Sequence, residues 1–202
     1  MRVGYALVVF LICVSCFICG RFVYGEPTTV SMDSTVFGEY EIKAGFIYRF
    51  ISFVSWPEES VGDVITIGIL GPNPFGDAFA AIEGSIVGDR RVEIAYFDRD
   101  TDYEVLKRCQ ILFISDLPDG RLRALFDALS DSPVLTIGES RGFIDRGGMI
   151  GFVRQDRRRI GIEINVTAAQ TAGLTIRSML KRIAGRIIRE SQTSPSSRYV
   201  NG

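Results

Sequence analysis

Four short strand-like runs recur along the middle of this chain, the first of them rich in β-branched residues, and amphipathic stretches separate them. The runs are Val64–Leu70, Arg91–Phe97, Ile111–Ser115 and Pro133–Ile137. Runs of this length and composition read as strands. The stretches between them carry helical periodicity. Phe75–Ile86 follows the turn Gly71-Pro72-Asn73-Pro74, with Asn73 or Pro74 placed to open a helix. Asp102–Arg108 is short, and Asp119–Leu129 sets Leu122, Leu125, Phe126 and Leu129 on one side. Ahead of the first strand, Glu39–Trp56 places Ile42, Phe46, Ile47, Phe50, Ile51, Phe53 and Val54 at helical spacing, and Pro57 stops it. Repeated strand–helix–strand order predicts an α/β fold, a mostly parallel central sheet with helices on both faces.

The last third changes style. Gly147–Val153 and Ile160–Asn165 flank the charged turn Arg154–Arg159, which predicts a hairpin at the sheet edge. Asn165 or Thr167 is placed to cap a single closing helix running to about Ile188. On that helix Ile176, Leu180, Ile183 and Ile187 share one face, with Arg182, Arg186 and Arg189 opposite.

The ends differ from the middle. Residues 3–19 form an apolar run behind Met1 and Arg2, with Val23 and Gly25 at small-residue positions. That layout describes a secretory signal peptide, residues 1–25, cleaved after Gly25. Retention as a membrane anchor is the competing reading, because the run approaches spanning length and Arg21 follows it. Residues 26–38 read as a polar tether, 39–190 as one α/β domain and 191–202 as a disordered tail.

The chain contains no histidine, and beyond the export segment its one cysteine is Cys109. The side chains most used for proton transfer and transition-metal binding are therefore scarce. Cys109 cannot form a disulfide within the exported chain. It reads as a small buried residue, with a redox or intermolecular role as the alternative. The turn Gly71–Gly76 lies where open α/β sheets place ligands, but it lacks the spacing of a dinucleotide loop or a P-loop. Ser115 has no base beside it in the sequence, and Glu163 has no second carboxylate. Neither an enzyme nor a cofactor is expected.

Charge is divided along the chain. Residues 26–140 carry 9 basic and 20 acidic groups, and residues 141–202 carry 12 and 4. The basic third is either a solvated surface or a contact for an acidic partner. Arg157, Arg158 and Arg159 in the hairpin turn are its most prominent candidates. Glu163 alternates with Ile162 and Ile164 on its strand, so it either faces solvent or pairs with Arg177 on the closing helix. Trp56, in helical step with Phe46, Phe50 and Phe53, is either core or part of a partner-binding surface. Nucleic acid is not expected for an exported, mildly acidic chain.

These landmarks resemble the YfiR-like family of bacterial periplasmic proteins. The resemblance rests on Lys43–Phe50 with Phe53-Val54-Ser55-Trp56-Pro57, then Ile69-Leu70-Gly71 and Pro74-Phe75-Gly76. It continues through Cys109–Ser115, Val134–Ile137 and Gly147–Ile150, and closes on Glu163-Ile164-Asn165 with Ala168-Ala169 and Ala172-Gly173-Leu174. It implies a non-enzymatic periplasmic repressor that binds the periplasmic part of a membrane diguanylate cyclase and so controls cyclic di-GMP, biofilm and motility. It also implies an outer-membrane lipoprotein as a sequestering partner, and a homodimer. A small-molecule sensor feeding a histidine kinase is the second reading. Relatives' internal disulfides and histidine-dependent ligand contacts have no counterpart here.

Overall fold

The computed structural model describes residues 38–155 and 159–189. The expected export segment, the tether up to residue 37, Arg157 and Arg158, and the tail from residue 190 lie outside them. The elements in chain order are α1 (Glu39–Phe53), β1 (Val54–Ser55), β2 (Val64–Leu70), β3 (Ile86–Val87), β4 (Arg90–Phe97), α2 (Tyr103–Leu106), β5 (Ile111–Ile114) and α3 (Asp119–Leu129). Then come β6 (Leu135–Gly138), β7 (Ile150–Arg154), β8 (Ile160–Asn165), α4 (Val166–Thr171), β9 (Thr175–Ile176), α5 (Ser178–Ile183) and β10 (Arg186–Ile188). Eight strands form one sheet in the order β10-β8-β7-β6-β5-β2-β4-β3, and β1 pairs with β9 in a second, two-stranded sheet. In the large sheet β2, β4, β5, β6 and β7 run parallel, as the strand–helix alternation predicts.

Side-chain alternation divides the core. Ile65, Ile67 and Ile69 of β2, with Ile111 and Phe113 of β5, face α1, α4 and α5. Leu70, Leu112 and Ile114 face the other way, onto Leu106 of α2, Leu122 and Leu125 of α3, and Phe143 and Ile144. Both faces of a parallel sheet are thus apolar and covered by helices, which is why its strands read as continuous hydrophobic runs.

Three expected elements are different in the structure. The first helix ends at Phe53, because Val54 and Ser55 pair antiparallel with Ile176 and Thr175. Trp56 is therefore off the helix and out of step with Phe46 and Phe50. The stretch after β2 is a chain of turns, with Ala78 N–H donating to Phe75, Ala80 to Asp77 and Ile82 to Phe79. Asn73 Oδ1 accepts from Phe75 N–H at 2.9 Å, which makes a local turn where a helix cap was expected. Gly76 and Gly84 have positive φ within that stretch, so it does not propagate as an α-helix. Phe75 and Phe79 are nonetheless buried, with their rings 4.5 Å apart.

The largest correction concerns the closing helix. Asn165 does cap a helix, its Oδ1 accepting from Ala168 N–H at 2.9 Å. That helix, α4, stops after one and a half turns. Gly173, at φ +75°, takes the left-handed position. Leu174 N–H reaches back to Ala169 and Gly173 N–H to Gln170, a Schellman arrangement. The β-branched pair Thr175-Ile176 then joins β1, α5 follows, and Arg186–Ile188 adds β10 parallel to β8. The β7–β8 hairpin is as expected, but β10 lies outside it and forms the edge of the sheet.

Candidate functional site

Residues Gly138, Gly151, Glu163 and Arg186 sit side by side across β6, β7, β8 and β10. Two glycines in this row leave room above the sheet, and the segment around the short 3-10 turn Ile144–Arg146 fills part of it. A Cβ on Gly138 or on Gly148 would run into the ring of Phe143. The ring is held edge-on against Phe126 of α3, with centroids 5.4 Å apart. Phe143 and Ile144 are buried, and so Asp145 is carried out over the sheet toward Arg186.

Arg186 makes a two-way fork. Its Nη1 and Nη2 donate to the two Asp145 oxygens, each at 2.7 Å. Its Nε and Nη2 donate to Glu163 at 3.1 and 2.9 Å. The hydrogen bonds from Arg186 hold Asp145 below the usual carboxylate range, and those from Asp145 and Glu163 push the guanidinium further toward permanent charge. The pairing partner of Glu163 is therefore Arg186 on β10. Arg177, the partner expected from the sequence, is exposed before α5, and its backbone N–H donates to Phe53 O.

A cleft of about 500 Å³ opens beside this fork, lined among others by Glu139, Arg141, Asp145, Arg154, Glu163 and Arg186. A smaller space of about 170 Å³ continues behind Glu139 to Glu39, Lys43 and Arg154. Glu139 directly follows β6, so the cleft opens at the carboxyl end of the parallel strands, where ligands bind in open α/β folds. Lys43 of α1 is 3% exposed. Its ammonium pairs with Glu139 and, at 2.6 Å, with Glu39. Tyr40 OH donates to Glu139 at 2.8 Å, and Lys43 Nζ lies 4.4 Å from the centre of the Tyr40 ring. Arg154 closes the set by pairing with Glu39. Burial first, and then the hydrogen bond to Glu139, push the Tyr40 phenol up to about 12. Cationic and anionic side chains together offer hydrogen bonding to a charged or zwitterionic group, and Lys43, Arg154 and Arg186 are each paired with carboxylates.

The sequence candidates do not converge. Trp56 Nε1 donates to the carbonyl of Gln110 at 3.2 Å, and its half-buried ring packs on the core. Gln110 leads into β5, at the amino end of the parallel strands. Arg159 is exposed just before β8, at the opposite end. Arg157 and Arg158 lie outside the described residues. Cys109 is 2% exposed, and burial pushes its thiol up to about 12. It packs under β2, where a Cβ on Gly68 would lie 2.9 Å from its Sγ. Ser115 is buried, and the neighbouring Asp116 pairs with Arg99. Among the described residues no group of three or more Cys, Asp or Glu could hold a metal ion. Sequence reasoning missed the Lys43–Glu139 and Arg186–Asp145 pairs. Their members are 96 and 41 residues apart, and no local spacing signals such contacts.

The domain is an open α/β fold with a charged cleft at the carboxyl end of its parallel strands. The chain belongs to the YfiR/HmsC-like family, whose sequence profile matches residues 40–185. That family is regulatory and periplasmic, and it is associated with control of diguanylate cyclases. No curated protein matches the chain. Among solved structures, the chain resembles the crystal structure of a conserved domain protein from Vibrio cholerae, with a TM-score of 0.50 and 12% sequence identity. The match covers 74% of this chain and 60% of that one, so the chain spans less than two thirds of that protein's length. At that identity the likeness concerns the fold. No described helix is long and apolar enough to cross a membrane.

Proposed function

We propose that this protein is an exported, non-enzymatic regulator. It binds the periplasmic part of a membrane diguanylate cyclase and represses it, so lowering cyclic di-GMP. The observation that carries this reading is the YfiR/HmsC-like match over residues 40–185, which takes in nearly the whole α/β domain. In this reading residues 1–25 are removed on export, residues 26–38 tether the domain, the active form is a homodimer and an outer-membrane lipoprotein sequesters it. Deleting the gene raises cyclic di-GMP, and restoring the wild-type gene lowers it again. An unchanged level under several envelope stresses overturns the cyclase reading. Intact-mass measurement of the native protein finds an amino terminus near Glu26, and a species retaining residues 3–19 makes the domain membrane-tethered instead.

A second reading has a specific observation behind it. The cleft beside Glu139 and Arg186, at about 500 Å³, has the volume of a small-molecule site. A periplasmic sensor that binds a small charged solute and feeds a histidine kinase uses such a cleft. Saturable solute binding, without capture of any cyclase fragment, favours it.

A further inference from the structure

Many of the domain's arginines have a carboxylate in reach. Arg91 pairs with Glu93, Arg99 with Asp116, Arg146 with Asp119, Arg154 with Glu39, and Arg186 with Asp145 and Glu163. Two of these pairs, Arg146–Asp119 and Arg154–Glu39, join the basic last third to the acidic first part. On α5, and at Arg177 before it, no ion pair is formed among the described residues. Residues 164–189 contain no Asp or Glu, and they include Arg177, Lys181, Arg182 and Arg189 beside Arg186. Arg177 and Arg182 are exposed.

The same helix carries exposed apolar surface. Leu180, 1% exposed, anchors α5 on the core, while Met179 and Ile183 are 51% and 56% exposed. Two large apolar side chains framed by cations on one short helix is a pattern of binding surfaces, where apolar anchors hold and charge steers. Directly after α5 comes β10. Among the described strands β10 pairs with β8 alone, so the outer backbone edge of Arg186–Ile188 has no strand beside it. The edge is short, three residues opening on the charged Arg186, and it contains no Pro.

Cations that make no ion pair among the described residues select an acidic occupant. The open strand edge favours a polypeptide, because a lipid headgroup cannot continue a backbone ladder and an extended peptide can. We propose that α5 and β10 together form a docking surface for an extended acidic polypeptide segment. Its carboxylates meet Arg177, Lys181 and Arg182, its apolar side chains cover Met179 and Ile183, and its backbone adds to β10. The proposal rests on the partner-binding reading above and names the surface for it.

The test uses the whole exported chain and a defined probe, an eight-residue peptide of alternating Asp and Val, followed by amide NMR. Perturbations are expected to cluster in residues 177–189, with slowed hydrogen exchange at one or more of residues 186–188. The double reversal R177E/R182E is expected to weaken binding at least tenfold, and M179S/I183S at least threefold, both with unchanged melting. Higher salt weakens the wild type and affects the reversal little. Perturbation elsewhere, or equal affinity for the charge-reversed protein, overturns the proposal. Binding to phosphatidylglycerol vesicles through residues 177–189 without response to the peptide also overturns it, in favour of a membrane contact. Cyclic di-GMP in the deletion strain is an independent readout, so the regulatory reading and this surface fail separately.

Discussion

The ammonium of Lys43 and the carboxylate of Glu139 form an ion pair that joins the first helix to the end of the sixth strand. The lysine is buried, whereas the Glu39 and Glu139 side chains are about one-third exposed, at 32% and 30%. Loss of the Glu139 carboxylate therefore leaves a buried cation with Glu39 as its remaining carboxylate partner, whereas loss of the lysine leaves only partly hydrated carboxylates. Glu139→Ala is expected to cost about 1–3 kcal/mol in urea unfolding, because a buried charged donor loses a partner. Lys43→Met keeps the apolar stem in place and is expected to cost less. The reverse order would show that the lysine's packing outweighs its charge.

Tyr40 reports on the same cluster through pH. Its folded phenol, at about 12, lies above the ordinary value of 10.0. The folded state thus holds the proton longer than the unfolded chain does. Its contribution to stability is complete below pH 10 and is lost as pH rises toward 12. Tyr40→Phe removes that term, so the wild type is expected to lose stability more steeply than the variant between about pH 10 and 12. Parallel curves in thermal melts across that range would assign the alkaline loss to other groups. Cys109 also has a raised pKa, and it is common to both proteins.

Burial gives Cys109 a separate prediction. A thiol held at about 12 has almost no thiolate at neutral pH, and 2% exposure denies access to a reagent. A disulfide exchange reagent at pH 8 is expected to leave the native protein unlabelled and to label it fully in denaturant. Fast labelling of the native state would restore the redox role weighed from the sequence.

The centre of the sheet was legible in the sequence because β2, β5 and β6 are largely buried on both faces and read as self-contained apolar runs, whereas β4 alternates, with Arg91, Glu93 and Tyr96 exposed. The Asp119–Leu129 helix was legible for the same local reason, since its period marks its buried side. The closing segment misled because Ile176, Leu180, Ile183 and Ile187 satisfy a helical period, yet Gly173 and Gly185 interrupt it. Ile176 then pairs with Val54 and Ile187 with Ile164. Partnership with a distant strand overrode a local pattern. Glu163 is visible in the sequence as a charged residue on an apolar strand. Pairing it with Arg177 requires a continuous closing helix, and β10 brings Arg186 there instead. The cleft depends on contacts of this kind throughout, which is why its residue types were visible and its assembly was not.

Trp56 distinguishes core from contact surface. Its indole N–H is bonded to Gln110 O and its ring is half-buried. Trp56→Phe keeps an aromatic ring and removes the hydrogen bond, so about 1 kcal/mol is expected. Trp56→Ala is expected to cost about 2–3 kcal/mol, below the range for a fully buried aromatic. Both are read by chemical denaturation. An alanine variant that melts like the wild type but fails to repress would place Trp56 in a partner interface.

Gly138 tests how the cleft is built. Its backbone has no positive φ, so an alanine there is not strained by conformation. The obstacle is the ring of Phe143, into which a Cβ at 138 would run. Gly138→Ala is therefore an overpacking change, expected to cost about 1–3 kcal/mol. Phe143→Leu alone also destabilises, by loss of the buried ring. Combined with it, Gly138→Ala should cost at least about 1 kcal/mol less than in the wild type, because neighbours that share one space are not additive. The same movement reaches the charged fork, since Asp145 follows Phe143 by two residues and depends on it for its place beside Arg186. Gly138→Ala is thus expected to weaken the Asp145–Arg186 pair as well, seen as an upward shift in the Asp145 titration by carboxyl-detected NMR. Equal costs of the alanine in both backgrounds, with Asp145 titrating as in the wild type, would show that Phe143 yields easily and does not position the cleft.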